Sequence, residues 1–378
     1  MRVLWLCGWY PNRHAPFEGD FIQRQARAAS LFQEVHILSV NLHSANTDII
    51  EKINLGESVT EIRFYARKKR TIIPDYLLYF LKFRKLLKAY FKEYGAPDLV
   101  HIHIPYKLIA IGYWIRYQYH IPLLISEHWG IYDPNLPQNI YEWSKLKQYF
   151  LARFLRSADA VISVSAFLAK KMKSFTSIQD PVIIPNVVDT SLFFYQPHQG
   201  GDKKTILHIS NLHPVKNPSG ILNVIKDVLM KRTDVKFLII GNESDAIVDS
   251  ARDKGIPDSN IEFLGELPQA CVAAQLQKAD LLFLYSITET FSCVTAEALC
   301  CGVPVVASRV GALSELIDDS NGLLTASDDK ALGNALHFAL DIRKWEHEKI
   351  AGEVQKKYSF YKVGKQLSEL YESFQYRS

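Results

Sequence analysis

Residues 286–308, SITETFSCVTAEALCCGVPVVAS, decide how this chain folds. They come directly after the short aliphatic run 281–285, which is typical of a buried strand. Gly302 and Pro304 stand where a glycine just past a helix end and a proline soon after it are favoured. The segment therefore predicts a strand, a turn, a helix that begins near residues 290–292, and a second strand.

Similar aliphatic and β-branched runs alternate with longer amphipathic stretches along the rest of the chain. This alternation predicts an α/β protein with two Rossmann-like domains, each built on a doubly wound parallel sheet. Beyond residue 322 the pattern predicts almost wholly helical structure. The predicted strands are 3–7, 35–40, 99–102, 123–126, 161–164, 182–184, 205–210, 235–240, 261–264, 281–285 and 304–308.

Polar turn residues at 195–202 predict a linker, which places the domain boundary near residue 198. The predicted organisation is a first domain over 1–198, a second over 199–358 and a final helix over 359–378. Open parallel sheets bind ligands beyond the carboxyl ends of their strands. Two such sheets facing each other would therefore form an interdomain cleft, and the residues just after each strand matter most.

The composition is that of a folded protein, with 48% hydrophobic and 22% charged residues in a chain of 378. The longest apolar runs are strand-sized, and Gly8 and Pro11 interrupt the opening run before it could form a secretory signal. The five cysteines lack Cys-x-x-Cys spacing and are expected to be reduced thiols. We therefore expect a cytoplasmic protein without a transmembrane helix.

The charge is divided unevenly between the two halves. Residues 1–200 hold 24 Lys and Arg against 16 Asp and Glu, a net charge of +8, whereas residues 201–378 hold 20 against 24. The first half therefore suits an anionic surface or substrate.

A basic and apolar helix is predicted at residues 76–94, after the sequence RKKR at 67–70. One predicted face of this helix is basic and another is apolar. Such a helix fits an ordinary solvated surface, or contact with an anionic membrane or a lipid-diphosphate acceptor. The basic face comprises Lys82, Lys85, Lys88 and Lys92, and the apolar face comprises Phe80, Phe83, Leu87, Tyr90 and Tyr94.

Two carboxylates flank the start of the helix predicted within residues 286–308. The free N–H groups and positive dipole end of a helix suit a phosphate or diphosphate. Glu289, just ahead of the helix, could hold sugar hydroxyls beside that anion, and Glu297, about two turns in, could accept hydrogen bonds from a ribose diol. Taken singly, a carboxylate such as Glu289 is more often only a favourable charge at a helix N-terminus, and one such as Glu297 is more often part of a solvated face.

The pair within its context is more specific. The E-x7-E spacing, followed by G-x-P-V-V-A, resembles the pattern E-G-F-G-x4-E-A-x-A-x-G-x-P-V-V-A of glycosyltransferase family 4, whose members have the GT-B fold. The resemblance implies that Glu289 contacts a donor sugar and that Glu297 contacts the nucleotide ribose. It places Thr290, Phe291 and Ser292 in the donor site, with Thr290 and Ser292 standing where the family has glycines.

Other segments extend the resemblance into both predicted domains. Ser210–Asn217 (SNLHPVKN) is similar to the family's G-R-L-x-x-x-K loop, which implies that Lys216 stabilises the departing diphosphate and puts Asn211 in place of an arginine. The sequence EHWG at 127–130 resembles T-x-H, which implies that His128 faces the donor sugar. In the loop 9–20, Gly19 matches a glycine that lets the backbone approach the donor phosphates.

Three shorter segments resemble the family at positions expected to be structural. The strand DLVHIH at 98–103 resembles D-x-V-H-x-H, and its His101 and His103 are interpreted as structural. The turn IPNVVD at 184–189 resembles I-P-N-G-V-D, with Val187 at the glycine position. GALSE at 311–315 resembles G-G-x-x-E, whose glutamate supports the donor site from behind.

The sequence lacks the motifs of metal binding and of several common enzyme classes. The chain has no Asp-x-Asp and no His/Cys cluster, so no metal ligands are assigned and catalysis is expected to need no metal. It also has no G-x-G-x-x-G after a strand, no P-loop and no G-x-S-x-G. These absences count against a dehydrogenase, a kinase or an α/β-hydrolase.

Taken as a member of this family, the chain is expected to be a retaining, metal-independent glycosyltransferase of glycan or glycolipid assembly. A nucleotide sugar, expected to be a UDP- or GDP-sugar, would bind the second domain without a cofactor, and a carbohydrate or lipid-linked acceptor would bind the first. His128, Glu289 and Lys216 are the predicted catalytic residues. The resemblance also implies that the final helix crosses back onto the first domain, and no nucleic-acid partner is expected.

Three other functions remain open on the sequence. A nucleotide-sugar 2-epimerase on the same frame would form product from the donor alone. A sugar- or nucleotide-binding module would bind a nucleotide tightly without turnover, and Asn211, Thr290 and Ser292 would mark its lost active site. A glycosidase using Glu289 and Glu297 is weaker, because both carboxylates lie on one strand–helix unit without opposed geometry.

Overall fold

The computed structural model describes residues 1–56, 58–68, 74–197, 201–242 and 245–375. It divides the chain into two compact units, unit 1 (Met1–Val187 with Phe360–Ser378) and unit 2 (Val188–Ser359). No helix within those described ranges is long and apolar enough to cross a membrane. The predicted boundary at residue 198 lies outside the described residues, as do Lys69 and Arg70 of the basic segment.

Unit 1 is built on one eight-stranded sheet in the order β3-β4-β2-β1-β5-β6-β7-β8. Every neighbouring pair is parallel except β3 with β4. Its strands are β1 (Arg2–Cys7), β2 (Glu34–His43), β3 (Ile49–Asn54), β4 (Val59–Arg67), β5 (Leu99–His103), β6 (Leu123–Glu127), β7 (Ala160–Ser163) and β8 (Val182–Ile183). Its helices up to this point are α1 (Asp20–Ala29), α2 (Asp75–Tyr94), α3 (Ile109–Tyr119), α4 (Lys145–Ser157) and α5 (Ala166–Phe175).

Unit 2 has a six-stranded, wholly parallel sheet in the order β11-β10-β9-β12-β13-β14. Its strands are β9 (Lys204–Ile209), β10 (Val235–Ile240), β11 (Ile261–Phe263), β12 (Leu281–Leu284), β13 (Val305–Ser308) and β14 (Gly322–Thr325). The helices are α6 (Pro218–Leu229), α7 (Asp245–Asp253), α8 (Gln269–Leu276), α9 (Cys293–Cys300), α10 (Leu313–Leu316), α11 (Asp329–Asp341) and α12 (His347–Tyr358). The alternation of strands and helices confirms the predicted pair of Rossmann-like folds.

The structure adds strands that the sequence pattern did not predict. β3 and β4 form an antiparallel hairpin at one edge of the first sheet. Their sequences, IIEKIN and VTEIRFYAR, carry charged residues inside the strands, which obscures the aliphatic signal. Beyond residue 322 the structure is almost wholly helical as predicted, and the exception is β14, a four-residue strand that pairs with β13.

Helix α2 buries a slightly different face from the predicted one. Its buried side chains are Tyr79, Phe83, Leu86, Leu87 and Tyr90, whereas the predicted members Phe80 and Tyr94 are half-buried. On the basic side, Lys82 forms an ion pair with Asp48, and the other three predicted lysines are exposed. The prediction of an amphipathic helix holds, but one of its four cations is used within the fold.

The last helix, α13 (Phe360–Gln375), belongs to unit 1 and packs against α1. Val363, Leu367, Tyr371 and Phe374 are buried in the core of that unit. The Gln33 side chain donates a hydrogen bond of 2.6 Å to the Ser368 hydroxyl. A Cβ atom on Gly364 would lie 2.0 Å from the Ala28 carbonyl oxygen, so the two helices approach at backbone distance there.

We predict that Gly364→Ala destabilises the protein by about 1–3 kcal/mol, because the added methyl group overlaps the backbone of α1. Gly352→Ala in α12 is the matched control, since a Cβ atom there would have open space within 4 Å. That variant should be neutral or gain up to about 1 kcal/mol of helix propensity. Urea denaturation of both variants measures the difference. Equal stability of the two would contradict this packing.

Candidate active site

Two loops of unit 2 come together because they follow neighbouring strands, β9 and β12. The loop after β9 contains a single 3₁₀ turn, Pro214–Lys216. The Ile287 N–H, in the loop after β12, donates a hydrogen bond of 2.8 Å to the Val215 carbonyl. This backbone bond fixes the distance between the two loops and so brings Lys216 to the loop that carries Glu289.

Glu289 is buried, and its carboxylate contacts two side chains of this pair of loops. The Lys216 ammonium lies 2.6 Å from Glu289 Oε1, and the Ser286 hydroxyl donates to the same oxygen at 2.7 Å. A buried carboxylate is costly unless it is paired and hydrogen-bonded. Glu289 is the one hydrogen-bond partner of the Lys216 ammonium among the described residues, which leaves two of its three N–H donors for another anion. Ser286 was not predicted as a site residue, although it directly follows the predicted strand 281–285.

The turn that holds Glu289 rests on Gly311. Gly311 has φ +55°, and a Cβ atom there would lie 2.1 Å from the Glu289 carbonyl oxygen. The next residue, Ala312, donates its N–H to that carbonyl at 2.8 Å. Glycine is therefore needed both for the left-handed backbone and for the close approach.

Helix α9 begins at Cys293, within one residue of the predicted start. Ser292 precedes it with φ +67° and ψ +81°, in the left-handed region that glycine occupies readily. Its hydroxyl lies 2.8 Å from the Thr295 hydroxyl. Phe291 is buried with its ring centroid 5.4 Å from that of Tyr358, and Thr290 is half-buried in the same turn.

The remaining residues predicted for this site lie on the same elements. Glu297 is buried in α9. Asn211 is exposed in the loop after β9, where its Oδ1 accepts the His213 N–H at 3.2 Å. A glutamate, a lysine and the first turn of a helix therefore converge at the carboxyl ends of the strands, and Asn211 supports the loop through its own turn.

His128 lies at the carboxyl end of β6 in unit 1, in a row of buried imidazoles. Its Nε2 is 3.2 Å from His103 Nδ1, and it also forms a hydrogen bond with Asn186. Burial lowers the pKa of His128 to about 3, so its imidazole is neutral at physiological pH. His101 joins the row by bonding Tyr371 of α13 at 2.8 Å and Ser126 at 2.7 Å.

Gly19, the second predicted residue of unit 1, lies close to His128 through the first turn of α1. Gly19 has φ +68°, and a Cβ atom there would lie 2.9 Å from the Trp9 carbonyl carbon. The ring of Phe21, in that turn, has its centroid 4.9 Å from the His128 ring. The structure therefore places His128 and Gly19 in one neighbourhood of unit 1, and the other predicted site residues in unit 2.

Glu127 organises the loop that carries His128 and was not predicted as a site residue. Its Oε1 accepts the N–H groups of His128 at 2.9 Å and Trp129 at 3.0 Å, and its Oε2 accepts the Tyr132 hydroxyl at 2.8 Å. Burial raises the pKa of Glu127 to about 7, although these three hydrogen bonds lower it. The available signal was an acidic residue at the end of an otherwise aliphatic strand.

Sequence comparison assigns both halves of the chain. The family described as Glycosyltransferase Family 4 matches residues 29–192, and the family described as Glycosyl transferases group 1 matches residues 192–358. The chain belongs to glycosyltransferase family 4. The family resemblance stated from residues 286–308 is confirmed.

Curated relatives of this glycosyltransferase include enzymes named for lipid substrates. It is 28% identical to a phosphatidylinositol N-acetylglucosaminyltransferase subunit from Arabidopsis thaliana, over 61% of this chain and 52% of that protein. It is 29% identical to phosphatidyl-myo-inositol mannosyltransferase of Mycobacterium leprae, over 74% of each chain. The matched region therefore spans about half of the plant relative's length.

Solved structures show the same fold. Sucrose-phosphate synthase from Thermosynechococcus elongatus superimposes with a TM-score of 0.82 at 20% identity, over 100% of both chains. Anabaena HepE in complex with UDP and glucose superimposes with a TM-score of 0.73 at 17% identity, over 99% of this chain and 100% of that one. The glycosyltransferase thus has the GT-B fold expected from the sequence.

The opposite pKa shifts of Glu127 and His128 predict a measurable pH dependence. Between about pH 3 and 6.5 the unfolded chain protonates His128 while the folded chain does not, so acid lowers stability. Between about pH 4.5 and 7 only the folded chain protonates Glu127, so acid raises stability. Glu127→Gln removes the second effect alone.

The unfolding free energy of Glu127→Gln should therefore fall more steeply than that of the wild type between pH 7 and pH 5, by about 1 kcal/mol per pH unit. Urea denaturation at both pH values measures this slope. Glu142→Gln, which changes an exposed glutamate, should match the wild type. If the slope for Glu127→Gln is equal to or shallower than the wild-type slope, the pKa of Glu127 is not raised in the folded protein.

Proposed function

We propose that this glycosyltransferase moves a sugar from a nucleotide-diphosphate sugar to an acceptor hydroxyl, with retention of configuration and without a metal ion. The observation that carries the proposal is the ion pair between Lys216 and Glu289, whose Nζ and Oε1 atoms are 2.6 Å apart. Glu289 precedes the first turn of α9 in the chain. It places a cation for a diphosphate and a carboxylate for sugar hydroxyls side by side. Backbone hydrogen bonds hold the loops of both groups in place.

The donor would bind to unit 2. The ammonium of Lys216 and the N–H groups at the start of α9 would hold the diphosphate. Glu289 would accept hydrogen bonds from the sugar, and Glu297 would accept them from the ribose. The family pattern supports these roles, because it has a glutamate at the positions of Glu289 and Glu297 and a lysine at the position of Lys216.

The transfer breaks the bond between the anomeric carbon and the diphosphate oxygen and forms a bond to the acceptor oxygen on the same face. The acceptor proton passes to the departing phosphate oxygen, whose developing charge Lys216 stabilises. His128 would act as a neutral hydrogen-bonding group toward the sugar, since burial lowers its pKa to about 3. It is therefore assigned no proton-transfer role.

Metal independence is supported by the sequence, which has no Asp-x-Asp segment to chelate an ion to the diphosphate. We place the reaction in glycan or glycolipid assembly, at the cytoplasmic side of the membrane. The names of two relatives, which refer to phosphatidylinositol, support a lipid-linked acceptor.

Nucleotide binding tests the donor site. Thermal unfolding with UDP, GDP, ADP and their sugars, with and without EDTA, should show a raised midpoint for one nucleotide that EDTA does not change. Glu297→Gln and Lys216→Gln should each weaken binding about 10–100-fold, because each removes a hydrogen bond to a charged group. Glu353→Gln, at an exposed position of α12, is the matched control for the glutamate.

No shift with any nucleotide would count against the donor site as a whole. Binding without turnover over a panel of acceptors would favour a binding module. Product formed from the donor alone would favour an epimerase. Inversion of the anomeric configuration, read by NMR of the first-formed product, would refute the retaining mechanism.

The exposed lysines of α2 would add a peripheral contact with an anionic membrane. Lys85, Lys88 and Lys92 are exposed along this helix, and each cation near an anionic surface contributes about 1 kcal/mol. The first half of the chain, which forms most of unit 1, also carries the excess of positive charge. We assign α2 as the contact because its apolar side is buried in unit 1, which leaves the lysines outward.

Changing all three lysines to glutamine should weaken sedimentation with anionic phosphatidylglycerol vesicles about 100-fold. Changing Lys226, Lys231 and Lys278, three exposed lysines of unit 2, is the matched control and should have a much smaller effect. Equally weak sedimentation with neutral and anionic vesicles would remove the proposed membrane contact.

A further inference from the structure

A cavity of about 970 Å³ lies within unit 1, and residues of that unit alone form its wall. The wall includes Cys7 and Gly8 at the end of β1, residues 39–42 at the end of β2, and Lys68 just after β4. These are carboxyl ends of parallel strands, where open sheets bind their ligands. The volume is at the upper end for small-molecule sites.

Aromatic and aliphatic side chains dominate the wall of this cavity. Tyr106 and Trp143 lie on one side with ring centroids 6.0 Å apart. Such a wall offers a ligand mainly apolar contact, with a few polar groups to set its orientation. The apolar and aromatic lining residues include Tyr76, Tyr79, Tyr106, Trp143, Leu146 and Phe150.

One buried tyrosine of this wall has an unsatisfied hydroxyl. Tyr79 is 6% exposed, and its hydroxyl has no hydrogen-bond partner among the described residues. Burial raises the pKa of Tyr79 well above its ordinary value, so the hydroxyl is a neutral donor. A buried unsatisfied hydroxyl is unusual in a native protein, and a ligand oxygen in the cavity would satisfy it.

Two lysines of the wall have no carboxylate partner among the described residues. Lys107 and Lys147 line the cavity, and within the described ranges neither forms an ion pair with a carboxylate. Lys68, the third lysine of the wall, is neutralised by Asp75 at 2.6 Å. Glu18, a carboxylate of the same wall, forms no ion pair within those ranges either, so the described part of the wall carries three lysines against two carboxylates. Its net charge of +1 favours an anionic ligand.

The rim of the cavity exposes large apolar side chains. Tyr76 is 51% exposed at the start of α2, and Leu146 and Phe150 are 66% and 45% exposed in α4. All three also line the cavity. Burial of such side chains by a hydrocarbon chain would release water from apolar surface at both partners. A purely polar sugar acceptor would leave them in water.

We infer that this cavity binds the phosphate-bearing end of a lipid acceptor, whose hydrocarbon chain leaves over Tyr76, Leu146 and Phe150. Lys107 and Lys147 contact the phosphate, and the Tyr79 hydroxyl donates to a ligand oxygen. The inference rests on the proposed function, because it names the acceptor class for the same transfer. It assigns substrate selection to unit 1 side chains outside the family motifs.

Calorimetric titration with decyl phosphate below its micelle concentration tests the assignment. Inorganic phosphate supplies the headgroup alone, and decyltrimethylammonium supplies the same chain with the opposite charge. Decyl phosphate should bind at least about tenfold more tightly than either probe. Equal affinity for inorganic phosphate would refute the assignment of a lipid ligand. Equal affinity for the cationic amphiphile would refute the assignment of an anion site.

Four single variants locate the binding. Lys147→Gln and Leu146→Gln should each weaken decyl phosphate binding by about tenfold. Lys170→Gln and Leu31→Gln change an exposed lysine and an exposed leucine of unit 1 outside the cavity wall and should bind as the wild type does. Losses of the same size in all four variants would contradict a site in this cavity.

Tyr79→Phe separates a ligand contact from a packing role. Removal of an unsatisfied buried hydroxyl should leave the thermal midpoint unchanged or higher, whereas decyl phosphate should bind about tenfold more weakly. A lower midpoint with unchanged affinity would refute the assigned contact.

Nucleotide titration of the same samples distinguishes this inference from the proposed function. If a nucleotide binds and decyl phosphate does not, the lipid assignment is wrong and the transfer reaction stands. If decyl phosphate binds and no nucleotide does, the proposed transfer fails, and the cavity is no acceptor site.

Discussion

The direction of the parallel strands is the constraint on which every candidate site in this protein depends. Parallel strands all end at the same edge of their sheet, so the loops that follow them gather there. In unit 2 this brings the loops after β9 and β12 together, and a single backbone bond from Ile287 to Val215 sets their spacing. In unit 1 the ends of β1 and β2 form part of the cavity wall.

Both units hold their functional loops with buried acids that satisfy backbone or side-chain donors. Glu127 accepts from two backbone N–H groups and a tyrosine in the loop of His128. The Glu289 carboxylate instead takes its bonds from Lys216 and Ser286, while its backbone carbonyl accepts from Ala312. Glu127 therefore stabilises its own loop, whereas Glu289 contacts the Lys216 ammonium, which has further N–H donors for a ligand. The difference in partners separates a supporting carboxylate from one that can exchange its partner for a ligand.

The sequence predicts most of the fold because its strands are aliphatic and its crossovers are amphipathic. The candidate site residues from Glu289 to Glu297 can be proposed from the sequence, because their spacing along one strand and helix is local. The sequence cannot predict contacts between distant segments, such as Lys216 with Glu289 across 73 residues. The hairpin of β3 and β4 is not predicted because charged residues inside both strands break the aliphatic pattern. The cavity cannot be predicted from the sequence, because its wall comes from many segments and none of them has a distinctive residue spacing.

Ser292 shows how a local conflict can mark a site. A non-glycine residue in the left-handed region costs about 1–2 kcal/mol, and such a cost persists only where the surrounding structure over-determines the backbone. Phe291 is fixed against Tyr358, and the Ser292 hydroxyl is held at Thr295, so the turn is constrained from both sides. The strained residue lets α9 begin soon after Glu289 and Thr290. The first turn of α9 therefore follows Glu289 by only four residues, and the hydroxyl that replaces a family glycine contributes to holding the turn itself.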